Sequence, residues 1–126
     1  MLVHHLLVVN AKVLYPPTCV EEIVAWKKEL IENIGMKILM GPYAVYSEMT
    51  GNRGLTAVTI IETSHIALHV WDEESPATLR LDVYSCAEFD VQTILDAIEE
   101  FYPFDVDYKF LDRTEDKIII KGEHGE

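Results

Sequence analysis

Basic residues are scarce in this chain, which has 10 Lys and Arg against 22 Asp and Glu and a formal net charge of −12. Proteins that bind nucleic acids need clustered Lys and Arg to contact phosphates, so this balance argues against a nucleic-acid partner. An acidic surface favours a cationic small molecule as ligand, although solubility alone is a sufficient reason for the charge.

Long apolar runs and cysteines are also lacking. No run approaches the ~20 residues that a transmembrane helix needs, so we expect no membrane association. The apolar start, Met1–Val9, carries His4 and His5 without a basic n-region and therefore predicts a first strand, not a signal peptide. The two cysteines, Cys19 and Cys86, lie far apart. They favour free thiols in a cytoplasmic protein over a disulfide framework.

The 126 residues are 49% hydrophobic and 25% charged, which is typical of a globular domain with a sizeable core. No linker or low-complexity segment divides the chain. The sequence therefore predicts one domain over residues 1–126.

Two helices are predicted. The first covers residues 19–34: Thr18-Cys19-Val20-Glu21 matches a capping box, and Gly35 is a natural stop. The second begins at its cap Asp90 and ends before Pro103. The first helix has an apolar stripe at helical spacing, which comprises Ile23, Val24, Lys27 through its aliphatic stem, Leu30, Ile31 and Ile34.

The remaining apolar and β-branched segments predict strands. Their consecutive order favours an α+β two-layer sandwich, a mostly antiparallel sheet with two helices on one face. Several strands look apolar on both faces, so we expect a homodimer or a higher homo-oligomer to cover the other face. The tail Gly122–Glu126 is expected to be loose. The predicted strands are Leu2–Ala11, Met36–Tyr46, Leu55–Glu62, His65–Trp71, Leu79–Ser85, Phe104–Leu111 and Lys117–Lys121.

A polar cluster, Ser64, His65, His69 and Cys86, interrupts the most strand-like part of the chain, where unpartnered polar groups are costly. A metal site is disfavoured, because the two histidines lie ~13 Å apart on a strand and no third ligand is near in sequence. A serine hydrolase is disfavoured by the lack of a Gly-x-Ser-x-Gly elbow. Buried core histidines and an inert thiol remain the alternative without chemistry.

Two segments resemble the signature of the prokaryotic S-adenosylmethionine decarboxylase proenzymes: Thr63-Ser64-His65-Ile66-Ala67-Leu68-His69-Val70-Trp71-Asp72-Glu73 and Leu81-Asp82-Val83-Tyr84-Ser85-Cys86. That signature is Glu-Ser-His, a second His four residues on, Trp-Pro-Glu, and later Asp, an aromatic residue, Ser or Thr, and Cys. The similarity covers Thr56 to Cys86 in order and nearly in spacing. Chain length and element order agree with the same family.

The resemblance implies a self-processing enzyme that is cleaved between residues 63 and 64. Ser64 attacks the carbonyl of Thr63, and elimination followed by hydrolysis converts the serine into a covalent pyruvoyl cofactor. The family histidine that matches His69 assists the elimination. The family serine that matches Thr56 helps the ester to form, and Thr56 keeps that hydroxyl.

For catalysis, the resemblance implies that the pyruvoyl group forms a Schiff base with S-adenosylmethionine and accepts the electrons released with CO₂. Cys86 matches the proton donor, a role suited to a thiol that titrates near neutrality. Glu73 matches the glutamate that binds the ribose, and His65 is a further candidate for binding the substrate. The product is the aminopropyl donor for spermidine synthesis.

The chain departs from the family pattern at three places. Thr63 replaces the glutamate before the serine, Asp72 replaces the proline after Trp71, and the loop before Asp82 is longer. These differences keep two alternatives open. One is a pyruvoyl enzyme that acts on arginine or ornithine, and the other is an unprocessed homologue that binds a ligand or a partner subunit.

Overall fold

The computed structural model describes residues 2–124. Within that range the chain forms seven strands and two helices. The elements are β1 (His5–Val13), α1 (Val20–Asn33), β2 (Ile38–Ser47), β3 (Gly54–Ile61), β4 (Ser64–Trp71), β5 (Ala77–Ser85), α2 (Val91–Ala97), which continues as a 3-10 turn (Ile98–Phe101), β6 (Pro103–Asp112) and β7 (Ile119–His124).

The described strands form a single antiparallel sheet in the order β2-β3-β4-β5-β1-β6-β7. The first strand of the chain is therefore central, as its uniformly apolar sequence predicts. Both helices pack on one face of this sheet, so the predicted two-layer α+β architecture is confirmed.

The alternation of side chains along each strand separates a core face from an uncovered one. In β4, Ile66, Leu68 and Val70 are buried under the helices, while His65 and Trp71 point away from them. The face opposite the helices, here called the open face, has no covering element within residues 2–124. Its exposed apolar side chains, Tyr43, Val45, Val58 and Ile60, are 44 to 61% accessible.

Helix α1 lies where the sequence predicts it, but the predicted capping box is wrong. The N-cap residue is Cys19, whose side chain makes no capping bond. Its Sγ lies 3.3 Å from the Glu21 carboxylate instead, so Glu21 does not reach back to the cap. The predicted stop is confirmed, since Gly35 follows the helix with a φ of +76° that suits glycine.

Asp90 caps α2 as predicted, because its carboxylate accepts hydrogen bonds from the Gln92 amide and the Thr93 hydroxyl. The end of the chain differs from the prediction. Residues 122–124 pair with β6 as part of β7, so the expected loose tail is wrong for them. Residues 125–126 lie outside the described part of the chain.

Candidate active site

Ser64 lies at the tip of the β3–β4 hairpin, where Glu62 and Thr63 form a two-residue turn between the paired Ile61 and Ser64. Its φ of +140° belongs to a region that side-chain-bearing residues rarely adopt. Such backbone costs about 1–3 kcal/mol and is found most often at functional sites. The hairpin therefore presents the Thr63–Ser64 peptide in a strained conformation.

The carbonyl of Thr63 accepts a hydrogen bond from the backbone N–H of Cys86 at 2.8 Å. This contact follows from the sheet, because Ser64 pairs with Ser85 and Cys86 is the next residue. A fixed N–H aimed at a carbonyl oxygen stabilises the negative charge that develops there when a nucleophile attacks its carbon. The carbonyl next to Ser64 is thus already polarised.

The Thr63 side chain takes part in a neutral hydrogen-bond chain. The fully buried Ser85 hydroxyl accepts from the Ala87 amide and donates to Thr63 Oγ1, both at 3.0 Å. Thr63 Oγ1 in turn donates to Met36 Sδ at 3.1 Å. The position that carries a glutamate in the family signature is therefore occupied here by an uncharged group that fixes the turn.

His65 follows Ser64 in β4, and its side chain lies on the open face, where it packs against Tyr84 with ring centroids 5.7 Å apart. The Tyr84 hydroxyl lies 3.1 Å from His4 Nδ1, and the Arg113 guanidinium stands over its ring at 5.1 Å. These groups form a polar and aromatic wall at the Ser64 end of the sheet.

Thr56 and His69 face each other across β3 and β4, with Thr56 Oγ1 and His69 Nδ1 3.1 Å apart. The Thr56 hydroxyl fixes one ring nitrogen of His69 and leaves Nε2 for other partners. His69 is five residues beyond Ser64 on the same strand, a distance of about 16 Å. Within one chain, His69 is too far away to reach the Thr63–Ser64 bond.

Glu73 lies still further along, in the loop after β4. Its Oε1 accepts hydrogen bonds from the backbone amides of Gly51 at 2.6 Å and Arg53 at 3.1 Å. The neighbouring Asp72 accepts from Arg53 and from the Tyr46 hydroxyl, both at 2.9 Å. The bond to Asp72 raises the pKa of Tyr46 and also that of Arg53. At the position of the family proline, Asp72 thus fixes the loop through hydrogen bonds to Arg53 and Tyr46.

The residues predicted from the sequence therefore form two groups, which lie at opposite ends of the strands β3 and β4. The cleavage cluster consists of Ser64, His65 and Cys86, and the histidine cluster consists of Thr56, His69 and Glu73. The residues of each cluster lie near the same end of the paired strands. Within one chain, the two clusters remain about 16 Å apart.

Lys27 has a buried charged group that the sequence did not predict, since only its aliphatic stem was expected in the core. It is fully buried, and its Nζ donates to the Ala57 and Ile66 carbonyls and to the Thr59 hydroxyl. Burial lowers the pKa of Lys27 to about 7. A basic residue inside the apolar stripe of α1 was the signal that could have revealed it.

Three findings concern metal ions, disulfides and membrane spans. Among residues 2–124, no three His, Cys, Asp or Glu side chains lie close enough to hold a metal ion. Both cysteines are free. No helix in the same range is long and apolar enough to cross a membrane.

The fold is that of the adenosylmethionine decarboxylases. The structure matches the crystal structure of the adenosylmethionine decarboxylase from Aquifex aeolicus VF5 with a TM-score of 0.64 and 20% sequence identity, over 91% of this chain and 94% of the other. Residues 2–114 also match the family model for S-adenosylmethionine decarboxylase. The chain belongs to this family. Both clusters lie inside the matched range, and β7 lies beyond it.

Proposed function

We propose that this chain is the proenzyme of a pyruvoyl-dependent S-adenosylmethionine decarboxylase that cleaves itself between Thr63 and Ser64. The observation that carries the proposal is the hydrogen bond from the Cys86 amide to the Thr63 carbonyl, beside a serine held at a φ of +140°. A polarised carbonyl and a strained peptide are what attack by the serine hydroxyl requires.

The cleavage begins when the Ser64 hydroxyl oxygen attacks the Thr63 carbonyl carbon and loses its proton. The carbon–nitrogen bond then breaks, so the Ser64 nitrogen leaves as an amine and an ester joins the two residues. Removal of the Ser64 α-proton expels the Thr63 carboxylate. Addition of one water and loss of one ammonia convert the remaining unsaturated residue into a pyruvoyl group.

The surroundings of Ser64 fit this group, since the residue is at the start of a strand and its backbone neighbours are fixed by β5. When formed, the pyruvoyl group supplies the carbonyl chemistry that withdraws electrons from the substrate as CO₂ leaves. Cys86 follows the residue that pairs with Ser64, and its thiol holds the proton that returns to the substrate. The polar wall of His65 and Tyr84 orients the substrate.

A second copy of the chain completes the site. Since the two clusters lie about 16 Å apart along the strands, a two-fold axis between them sets the cleavage cluster of one copy against the histidine cluster of the other. His69 of the second copy then assists the elimination at Ser64. The exposed apolar side chains of the open face, including Val58 and Ile60, become the interface.

The same arrangement brings Glu73 of the second copy to the substrate. Its Oε1 is held by two amides, so the carboxylate is already oriented when the ribose hydroxyls arrive. The acidic character of the chain, with its net charge of −12, favours a sulfonium cation as substrate. The product supplies aminopropyl groups for polyamine synthesis.

The neutral chain from Ser85 through Thr63 to Met36 favours one alternative, an unprocessed homologue that binds a ligand or partner. In that case, loss of the glutamate at position 63 removed a charged group needed for cleavage. The two functions differ in whether the Thr63–Ser64 bond breaks.

The experiment is an assay of CO₂ release from carboxyl-labelled S-adenosylmethionine, arginine and ornithine, each tested separately. The proposal expects release from S-adenosylmethionine alone, and its loss after treatment with a carbonyl reagent such as phenylhydrazine. Release from arginine or ornithine would contradict the substrate assignment. If none of the three substrates released CO₂, the proposal that the protein is a decarboxylase would be contradicted.

A further inference from the structure

Lys27 is a buried ammonium group whose hydrogen-bond partners all come from the β3–β4 hairpin. Its Nζ donates to the carbonyl of Ala57 at 2.9 Å, to the hydroxyl of Thr59 at 3.4 Å and to the carbonyl of Ile66. An ammonium group has three donors. The three acceptors match this number and belong to both strands of the hairpin.

No carboxylate compensates this charge. Lys27 makes no ion pair with any residue in the range 2–124. The core-facing side chains around it on α1, β3 and β4 carry no titratable group. On β2, the titratable side chain that packs against the core is Tyr46, and its hydroxyl is held by Asp72. The other buried side chains of α1, β3 and β4 are Ile23, Trp26, Leu30, Ile31, Leu55, Ala57, Thr59, Ile61, Ile66, Leu68 and Val70.

An uncompensated ammonium is a costly way to fill a core position. An apolar side chain of similar length would avoid the desolvation of the charge, and such replacements are often neutral or stabilising. Fold stability therefore does not account for Lys27. What the ammonium provides is three directed bonds to two strands at one point.

We propose that Lys27 is a positioning residue for self-cleavage, which clamps β3 to β4 so that the turn presents the Thr63–Ser64 bond. The inference rests on the proposed function. The Ile66 carbonyl is two residues beyond Ser64, and the Ala57 carbonyl directly follows Thr56. The clamp thus lies between the cleavage cluster and the histidine cluster, and it fixes the spacing that a second copy has to match.

The clamp depends on pH. Burial lowers the pKa of Lys27 to about 7, so the side chain loses a proton as the pH rises through neutrality. A neutral amine has two donors for three acceptors, and its lone pair faces a carbonyl oxygen. We expect the clamp to be complete below about pH 7 and weaker above it.

The test compares Lys27→Met with Lys28→Met, the exposed lysine next to it on α1, by intact mass over time at several pH values. A displacement of about 1 Å at a reacting bond can cost up to about 100-fold in rate. We expect Lys27→Met to cleave about tenfold more slowly than wild type at about pH 6, and Lys28→Met to cleave at the wild-type rate. The ratio of the wild-type rate to the Lys27→Met rate, in which pH effects common to both proteins cancel, should fall above neutral pH.

Equal rates for wild type and Lys27→Met would overturn the inference, as would a ratio that is independent of pH. Lys27→Gln supplies the same test if Lys27→Met does not fold, because the amide keeps two donors without a charge. Lys27→Gln should cleave at a rate between those of wild type and Lys27→Met. The ratio of the wild-type rate to the Lys27→Gln rate should still fall above neutral pH.

A measurement that needs no cleavage separates this inference from the proposed function. In Ser64→Ala protein, hydrogen exchange of the β3 and β4 amides should be faster with Lys27→Met, while exchange in β1 stays the same. If wild type never cleaves, the proposed function fails and this comparison still decides on the clamp. Unchanged exchange in the hairpin would contradict it.

Discussion

At the scale of single residues, the site depends on backbone geometry at least as much as on side-chain chemistry. His69, the histidine assigned to the elimination, lies about 16 Å from Ser64 along β4 of the same chain. What one chain supplies is a strained peptide and the Cys86 N–H on the Thr63 carbonyl. In the proposed mechanism these features prepare the bond, and His69 of the second copy is the acid–base group.

The strain at Ser64 can be measured by comparing two variants that cannot cleave. A glycine adopts a φ of +140° without steric cost, whereas an alanine does not. Ser64→Gly should therefore be more stable than Ser64→Ala by about 1 kcal/mol. Urea unfolding at neutral pH measures the difference. A more stable alanine variant would show that the serine backbone is not strained.

The role of Cys86 separates cleavage from decarboxylation. Its backbone N–H contacts the Thr63 carbonyl, and a substitution of the side chain leaves that amide in place. Cys86→Ala should therefore cleave at close to the wild-type rate and release CO₂ at least about 100-fold more slowly, as expected when a positioned proton donor is lost. Mass spectrometry and the CO₂ assay measure the two steps. An unchanged rate of CO₂ release would remove Cys86 from the mechanism.

At the scale of elements, patterns spanning many residues were predicted well and contacts between distant residues were not. The alternation of buried and exposed side chains identifies β4 as a strand, and the apolar stripe identifies α1 as a helix. The predicted end of α1 at Gly35 is also confirmed. The capping box failed because Cys19, not Thr18, is the N-cap. Residues 122–124 look polar, yet β6 pairs with them. Pairing with a distant strand leaves no local pattern.

The same limit applies to the site. The residues Ser64, His69 and Cys86 stand out in the sequence by type and order. Because Ser64 and His69 lie on one strand, their separation follows from strand spacing. The place of Cys86 beside the Thr63 carbonyl depends on the register of β4 and β5, which sequence periodicity does not give. The contacts of Lys27 were missed for the same reason, since its three partners lie 30 to 39 residues away.

The lowered pKa of Lys27 predicts how the free energy of unfolding depends on pH. Its pKa of about 7 in the folded chain is below the unfolded value of about 10.4. Between these values the unfolded chain binds the proton and the folded chain does not, so the free energy of unfolding rises with pH. The free energy of unfolding should rise by at most about 5 kcal/mol over this range.

Lys27→Met lacks this titration. The difference in unfolding free energy between wild type and Lys27→Met should therefore shift in favour of wild type from about pH 7 to about pH 10, and stay constant below about pH 6. Urea unfolding across this range measures it. A difference that does not vary with pH would show that Lys27 keeps an ordinary pKa.

At the scale of the whole molecule, one uncovered face and two separated clusters lead to the same assembly. In the proposed assembly, one partner both covers the apolar open face and presents the other cluster. A second copy satisfies both needs with one two-fold axis. The partly buried His69 is then a residue of its neighbour's active site.

Mixing two inactive variants tests the shared site. Ser64→Ala chains supply His69 but cannot be cleaved, and His69→Ala chains supply Ser64 but lack the acid–base group. After unfolding and refolding together, mixed dimers should cleave the His69→Ala chains only, and each variant refolded alone should stay intact. Cleavage within His69→Ala alone, at the wild-type rate, would contradict the shared site.

The intact mass of the freshly purified protein under denaturing conditions is the most direct measurement. Cleavage after Thr63 divides the 126-residue, 14.4 kDa chain into two pieces of nearly equal size, so mass resolves what a gel would merge. The account predicts two masses, with a pyruvoyl group at the start of the second piece. A single uncleaved mass that persists on long incubation would contradict it.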